Sequence, residues 1–314
     1  MRVVLLGAML GMALAGPAVA DQASDSATTC GDSAAAPDQR IAACSWLIPS
    51  GLLDQKGLAT IYLNRGHAFG AKGDLLRATK DYSQALVLKP DFVQALRDRG
   101  LTYAAMPFPD RAIPDLDKII ALDPTDAAAF SGRGYSQYVL GKSDLAIADL
   151  DQAIRLGPDD AEAYYRRAQA HIGNHAFSNQ VEYDRTIQDF SQAIRLKPDY
   201  AEAYFGRCQM LLLHDKALAA ARSDCILAAA YAPRDTTIRW GLGQIDFQLG
   251  HFADAAADGD AVLKIDPKDA ASLFLRGAAR RRGGDTTAGD ADIAAAKALS
   301  AHIAEEQQEF GITP

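Results

Sequence analysis

Residues 62–90 read YLNRGHAFGAKGDLLRATKDYSQALVLKP, and variants of this phrase recur along most of the chain. Each of six copies closes with a proline, and the closing prolines are 34, 34, 40, 35 and 34 residues apart: Pro90, Pro124, Pro158, Pro198, Pro233 and Pro267. A seventh copy has Ala301 at the corresponding position. Because proline cannot continue a helix, each phrase predicts a helix end followed by the start of the next helix. A constant period near 34 residues predicts a repeat protein.

Small residues occupy three positions in most copies. One lies 24 residues before the proline, as in Gly66, and two more lie 12 and 5 residues before it, as in Ala78 and Ala85. Small residues on facing sides of two helices allow the helices to approach closely. The pattern therefore predicts a tight antiparallel helical hairpin in each copy.

A pair of opposite charges follows the same period. In six copies an arginine precedes the small residue: Arg65, Arg99, Arg133, Arg167, Arg207 and Arg276. In all seven an aspartate lies nine residues before the closing position: Asp81, Asp115, Asp149, Asp189, Asp224, Asp258 and Asp292. We expect bidentate pairs that set the register of each hairpin more than they add stability. The alternative, an arginine row that binds an anionic ligand, is less favoured because each cation has a partner nearby.

The order of tyrosine, small residues and proline in residues 62–90 resembles the tetratricopeptide repeat, and the resemblance extends from residue 59 to about 300 in seven copies. It implies an all-α fold, an α–α superhelix or solenoid of about seven hairpins whose first helices line a concave groove. Two departures are evident. Met106-Pro107-Phe108-Pro109 replaces the usual glycine turn, and Arg239 stands where most copies have an aromatic residue.

We divide the chain at the limits of these copies, which span residues 59–92, 93–126, 127–160, 161–200, 201–235, 236–269 and 270–300. Residues 38–58 are predicted to form a partial N-terminal unit, and residues 301–314 a C-terminal cap, because the end faces of a solenoid otherwise expose core. Residues 21–37 are predicted to be a polar leader.

Residues 1–20 have the features of a signal peptide: a basic start, an apolar stretch and the small residues Ala18-Val19-Ala20. Cleavage after Ala20 would begin the mature chain at Asp21 and place it in the periplasm or outside the cell. The alternative is an uncleaved anchor, but the stretch is shorter than the roughly 20 residues that a membrane-spanning helix needs. We expect no membrane insertion after cleavage.

Four cysteines in an oxidising compartment favour two disulfides. The phase of the fifth copy places Cys225 opposite the small position that Cys208 occupies, so we expect these two to bridge the hairpin. This leaves Cys30 to pair with Cys44. Free buried thiols are the alternative.

Composition and motifs restrict the function. The chain has 314 residues, 49% of them hydrophobic and 23% charged, and its net charge of -8 opposes binding to nucleic acid. No phosphate-binding loop, nucleophile elbow or metalloprotease motif is present, so we expect no catalytic residues and no cofactor. His171 and His175 are spaced for one helical face but lack a third ligand, so no metal is expected. Scattered carboxylates such as Asp246 are interpreted as solvated surface.

The inner surface of the first helices can be predicted by counting three residues before, one after and four after the small residue. This count gives an aromatic row from the fourth copy onward, with amide side chains beside it. The candidate groove residues are Tyr135, Tyr138, Tyr165, Gln169, Phe205, Gln209, Trp240, Gln244, Phe247 and Phe274. Aromatic rings provide contact area and glutamines can pair with a peptide backbone, so this surface suits an extended peptide. The alternatives are ordinary core packing and stacking against sugars.

We therefore expect a non-catalytic scaffold that binds a protein or an extended peptide in the groove. A cell-wall protein that binds peptidoglycan or another saccharide, or an accessory of a cell-wall enzyme, is the alternative. Self-association through an exchanged end cap is a third option. The insertion between Gly173 and Asp184 in the fourth copy is a second candidate binding surface.

Overall fold

Every regular element in the described part of the chain is a helix, as the repeat predicts. The computed structural model describes residues 17–173, 180–215 and 217–314, which divide into two units with a boundary after Pro158. In the first unit the α-helices are α1 Pro17–Gly31, α2 Pro37–Leu47, α3 Gln55–Ala71, α4 Leu75–Leu88, α5 Val93–Ala104, α6 Pro109–Leu122, α7 Ala127–Val139 and α8 Ser143–Leu156. In the second they are α9 Ala161–Gly173, α10 Gln180–Leu196, α11 Ala201–Met210, α12 Leu218–Tyr231, α13 Thr236–Gln248, α14 Phe252–Leu263, α15 Ala270–Arg282, α16 Thr286–Leu299 and α17 Ile303–Glu309.

The helices pack as consecutive hairpins. In the first unit α1 packs with α2, α3 with α4, α5 with α6 and α7 with α8, and each hairpin contacts the next one. In the second unit α9 to α16 form four hairpins in the same way, and α17 packs on α15 and α16. The predicted all-α architecture of stacked hairpins is confirmed within each unit. None of the helices in the described ranges is both long and apolar enough to cross a membrane.

Aspartate and glycine set the ends of these helices. Asp54, Asp74 and Asp126 each accept a hydrogen bond from the main-chain N–H three residues later, which satisfies a donor that the first turn leaves unpaired. Gly73 has a φ of 75° in the turn between α3 and α4, a left-handed conformation that favours glycine. In the second copy Pro109 instead begins α6, where its missing N–H and restricted φ are compatible with a helix start.

The small residue of each first helix permits close contact with the second helix. A Cβ atom on Gly66 would lie 2.5 Å from the ring of Tyr82, and one on Gly134 would lie 2.9 Å from Cγ of Leu150. Both distances are shorter than van der Waals contact allows, so the hairpin requires glycine there. Tyr82 and Leu150 are themselves buried and form the centre of their hairpins.

Two disulfides occupy this same contact. The Sγ atoms of Cys208 and Cys225 are 2.15 Å apart and those of Cys30 and Cys44 are 2.09 Å apart, so both predicted pairs lie at disulfide distance. Cys208 follows Arg207 as Gly66 follows Arg65, and Cys225 holds the position of Tyr82. Each bridge spans 14 or 17 residues and contributes about 3 kcal/mol, mainly by restricting the unfolded chain.

The N-terminal region differs from the sequence-based expectation. Residues 21–31, expected as a polar leader, lie in α1, and α2 completes a hairpin rather than a partial unit. Ala23 and Cys30 of α1 are fully buried, but the rest of that helix is largely polar and half-buried or exposed, so its periodicity is weak. Residues 1–16 lie outside the described part of the chain.

The six predicted arginine–aspartate pairs are all present and bidentate. In each, Nε and Nη2 of the arginine donate to the two carboxylate oxygens at 2.6–2.8 Å. The remaining Nη1 donates to a residue of the preceding hairpin in the following pairs: Arg65 to Ser45, Arg99 to Ser83, Arg133 to Asp117, Arg207 to Ser191 and Arg276 to Asp260. Each of these arginines therefore joins both the helices of one hairpin and two successive hairpins.

The hairpin of α13 and α14 is the exception, and it explains the unusual position of Arg239. Leu242 stands where the other hairpins have arginine, and Arg239 donates to Asp258 from one turn earlier at 3.1 Å. This single contact replaces the bidentate pair. Burial raises the pKa of Asp258 to about 6, and Arg239 offsets only part of this effect.

We predict that Arg99→Ala lowers the free energy of unfolding by about 3 kcal/mol, because it leaves the buried carboxylate of Asp115 without its cation. Replacing both Arg99 and Asp115 with alanine should cost less than the sum of the two single changes. Arg234→Ala, in an exposed turn, is the control and should change stability by less than about 0.5 kcal/mol. Urea unfolding followed by circular dichroism measures all four. Strict additivity would contradict the pairing.

The free energy of unfolding should depend on pH through Asp258. The native pKa of Asp258, about 6, lies above the value of about 3.9 expected in the unfolded chain. The folded state therefore binds this proton more tightly, and the stability that Asp258 contributes is present below pH 4 and lost as the pH rises through 6. Asp258→Asn should remove this dependence. The difference in unfolding free energy between wild type and variant should change by about 2 kcal/mol from pH 4 to pH 7. Parallel pH profiles would refute this assignment.

Candidate functional site

The ten predicted groove residues lie on the first helices of their hairpins, but they belong to different units. Tyr135 and Tyr138 lie on α7 of the first unit, with ring centres 6.4 Å apart, and burial raises the pKa of Tyr138. The other eight lie on α9, α11, α13 and α15 of the second unit. We call the surface that these four helices form the inner face of the second unit.

The first half of the inner face carries half-buried aromatic rings. The ring centres of Tyr165 on α9 and Tyr200 are 4.9 Å apart. The hydroxyl of Tyr165 accepts a hydrogen bond from Nε2 of Gln169 at 2.9 Å. Phe205 on α11 packs directly against the backbone of α13, where a Cβ on Gly241 would lie 2.8 Å from its ring. Gln209 on the same helix is exposed. Half-buried rings and amide side chains therefore lie on the same two helices, α9 and α11.

Three predicted groove residues are buried instead. Phe274 is 1% exposed, Phe247 6% and Gln244 8%. The two phenylalanines belong to the core cluster that α13 to α17 form, and Phe247 packs edge-on against Phe252. For these two the alternative of ordinary core packing holds, because both point between hairpins that stack on each other.

The C-terminal segment covers the second half of the inner face. We call residues 303–313, which comprise α17 and the residues after it, the C-terminal tail. The ring of Phe310 packs edge-on against Trp240, with centres 5.1 Å apart. The carbonyl oxygen of Phe310 accepts hydrogen bonds from Nε2 of Gln244 at 3.3 Å and from Nε2 of Gln248 at 2.9 Å. The tail therefore packs on the last hairpin and also reaches back to α13.

Two buried isoleucines and two hydrogen bonds from Arg282 hold the tail in place. Ile303 and Ile312 are 3% and 0% exposed within the core cluster of α13 to α17. Arg282 donates to the carbonyl and hydroxyl oxygens of Thr313 at 3.3 and 3.1 Å. Sequence counting missed Gln248, although it lies four residues after Gln244 and so on the same side of α13.

A cavity of about 300 Å³ lies between the starts of α13 and α15 and the C-terminal tail. Trp240, Ser272 and Gln307 line it. Three buried polar atoms of these side chains, the indole Nε1, the serine Oγ and the amide Oε1, have no hydrogen-bond partner in the described part of the chain. Ser272 is fully buried and Gln307 is 3% exposed.

Two further groups of ionisable side chains in the second unit are engaged in ion pairs. Asp246, expected as solvated surface, is 1% exposed, and that expectation is wrong. It lies with His251 and Asp254 in the one cluster of three potential metal ligands found among the described residues. Arg222 donates to both carboxylates, so its guanidinium already supplies the positive charge between them. On α9, buried His171 contacts Glu182 at 2.9 Å.

Residues 174–179 of the insertion, which include His175, fall outside the described residues. The part of the insertion that is described, residues 180–184, belongs to α10, and Tyr183 is buried there. These residues extend the start of α10, which has 17 residues where α4, α6 and α8 each have 14.

Comparisons with known proteins agree with this architecture. A family model described as tetratricopeptide repeat matches residues 63–127 and 226–270, and one described as TPR repeat matches residues 138–174. No curated protein matches the sequence.

Solved structures share the fold at low identity. A tetratricopeptide repeat protein from Parabacteroides merdae is 18% identical, with a TM-score of 0.53 over 81% of this chain and 99% of that one. PilF of Pseudomonas aeruginosa is 15% identical, with a TM-score of 0.57 over 68% of this chain and 94% of that one. YrrB, described as a TPR protein with an unusual peptide-binding site, is 17% identical, with a TM-score of 0.53 over 62% of this chain and 97% of that one. The chain therefore contains tetratricopeptide repeats at residues 63–127, 138–174 and 226–270, and these structures share its fold of stacked hairpins.

Proposed function

We propose that this protein is a non-catalytic scaffold that binds an extended segment of another protein on the inner face of its second unit. The observation that carries the proposal is the pair of amides on α13, Gln244 and Gln248, which bind a main-chain carbonyl beside the ring of Trp240. Side-chain amides can bind a peptide backbone whatever its sequence, whereas an aromatic ring selects the side chain that it contacts. The surface therefore combines affinity for a backbone with selectivity.

The adjoining residues extend this surface toward α11 and α9. Phe205 provides half-buried aromatic area, and Gln209 offers an exposed amide four residues later on the same helix. Aromatic residues often dominate the binding energy of protein interfaces. The peptide-binding site named for YrrB supports the same use of the fold, although the low identity transfers no residue from that protein.

We also propose that the protein acts in the periplasm or outside the cell. The features of residues 1–20 and the two disulfides support export, since structural disulfides persist mainly in oxidising compartments. Cleavage after Ala20 would leave Asp21 in the first turn of α1, where an acidic side chain interacts favourably with the helix dipole.

The scaffold proposal predicts selective loss of partner capture. Immobilised protein should capture one or more proteins from native envelope extract, as measured by quantitative mass spectrometry. The double variant Phe205→Ala, Trp240→Ala should reduce their recovery at least about tenfold, because it removes two aromatic contacts. Val87→Ala, on a 72% exposed apolar side chain of α4, is the matched control and should capture normally. Circular dichroism checks that all three proteins are folded.

Two outcomes would count against a peptide-binding scaffold. One is equal recovery by wild type and the double variant. The other is calorimetric binding of purified peptidoglycan fragments with no captured protein, which would favour the cell-wall alternative.

Export predicts a defined N-terminus and no reactive thiol. Mass spectrometry of the protein from its native cells should find Asp21 as the first residue. Without reductant, iodoacetamide should label none of the four cysteines, and after reduction and unfolding it should label all of them. A chain that retains Met1 and carries labelled cysteines before reduction would overturn this location.

A further inference from the structure

The C-terminal tail occupies the part of the inner face that the proposed function assigns to a partner. We propose that the tail is a built-in competitor and that the partner binds there with an aromatic side chain and a main-chain carbonyl, in place of Phe310. The inference rests on the proposed function and adds two things to it. One is the chemistry of the bound segment, and the other is that this segment must displace the tail.

The contacts of Phe310 define that chemistry. Its ring meets Trp240 edge-on, an arrangement that the charge distribution of aromatic rings favours. Its carbonyl oxygen accepts from two amides of α13 at once. A peptide residue that makes both contacts must therefore have an aromatic side chain and an extended or turning main chain with a free carbonyl. Gly311, with a φ of 75°, supplies the turn in the tail.

The tail is suited to leave this surface. The helix α17 has seven residues, too few to be stable in isolation, so its structure depends on the contacts of the tail with α13 and α15. Phe310 itself remains 44% exposed. Ile303 and Ile312 provide the main apolar anchors, on either side of Phe310. A segment with so few anchors is expected to open locally before the hairpins unfold.

The fit of the tail is also incomplete. Nε1 of Trp240 and Oγ of Ser272 lack hydrogen-bond partners beside the cavity of about 300 Å³, and so does Oε1 of Gln307, which the tail itself contributes. Buried polar groups without partners are unfavourable. A peptide that places a carbonyl against the Trp240 indole and extends into the cavity would satisfy groups that the tail does not.

The segment that replaces Phe310 could come from a second copy of this chain or from a different protein, and the unpaired polar atoms favour a different protein. A second copy could insert its own tail, but that tail would leave the same polar atoms unpaired. A segment of a different protein can satisfy them. We therefore assign the site to a heterologous segment that carries phenylalanine, tyrosine or tryptophan.

The test uses a fluorescent synthetic peptide of residues 303–314, IAEEQQEFGITP, and the full-length protein. In the wild type the attached tail competes at an effective concentration in the millimolar range, so the peptide should bind weakly. Phe310→Ala weakens the attached tail, and we expect this variant to bind the peptide at least about tenfold more tightly in fluorescence anisotropy. The protein is titrated into the labelled peptide up to millimolar concentration, and circular dichroism verifies that each variant is folded.

Three controls identify the site. A peptide with alanine in place of its phenylalanine should not bind the Phe310→Ala protein, and adding Trp240→Ala to that protein should abolish binding of the unaltered peptide. Leu299→Ala is the matched control, because it removes a similarly exposed apolar side chain, 49% exposed, from α16 outside the tail. It should bind the peptide as weakly as the wild type does.

The contrary outcomes separate this inference from the proposed function. Equal peptide affinity in wild type and Phe310→Ala would overturn the competitor role, and so would binding that survives the Trp240→Ala change. If envelope proteins are still captured through Phe205 and Trp240, the scaffold function stands without the competitor. A wild-type protein that is dimeric in light scattering, and becomes monomeric with Phe310→Ala, would assign the site to a second copy and overturn the heterologous partner.

Discussion

The bidentate arginine–aspartate pair inside six of the eight described hairpins is the interaction on which the rest of the structure depends. Two parallel hydrogen bonds to a carboxylate permit one orientation of the guanidinium, so the two helices cannot slide or rotate past each other without breaking both. The third nitrogen then reaches the preceding hairpin, as Arg99 does through Ser83. The arginines remain partly exposed, with about a fifth of the side chain accessible for Arg65 and Arg99, so desolvation offsets less of the attraction than in a fully buried pair.

Register decides function because it decides which side chains form the inner face. Once the pair sets the rotation of a first helix, the residue three positions before the small residue faces the same side in each hairpin. Tyr165, Phe205 and Trp240 therefore line one surface, and the amides of α11 and α13 lie beside them. The hairpin of α13 and α14 keeps this register with a weaker substitute, the single contact between Arg239 and Asp258. Among the described hairpins of the second unit, the one without a bidentate pair is thus the one that holds Trp240.

Much of this arrangement follows from the period of the sequence, and the rest depends on contacts that a period does not encode. Counting residues predicts the hairpins, the six pairs and the bridge between Cys208 and Cys225, because these contacts lie within one hairpin at constant spacing. It does not predict α1, whose polar residues obscure a face built on Ala23 and Cys30. It also places Phe247 and Phe274 on the groove, although stacking of successive hairpins buries them. The position of Phe310 on Trp240 depends on a chain reversal that no repeat specifies.

The inner face of the second unit is thus a surface of two parts, one half-open on α9 and α11 and one covered by the C-terminal tail on α13 and α15. Hydrogen–deuterium exchange of the full-length protein, alone and with a captured partner, tests this account most directly. We expect new protection in α11, α13 and α15 together with faster exchange in residues 303–313. Protection confined to the second helices α12, α14 and α16, with unchanged exchange in the tail, would contradict it.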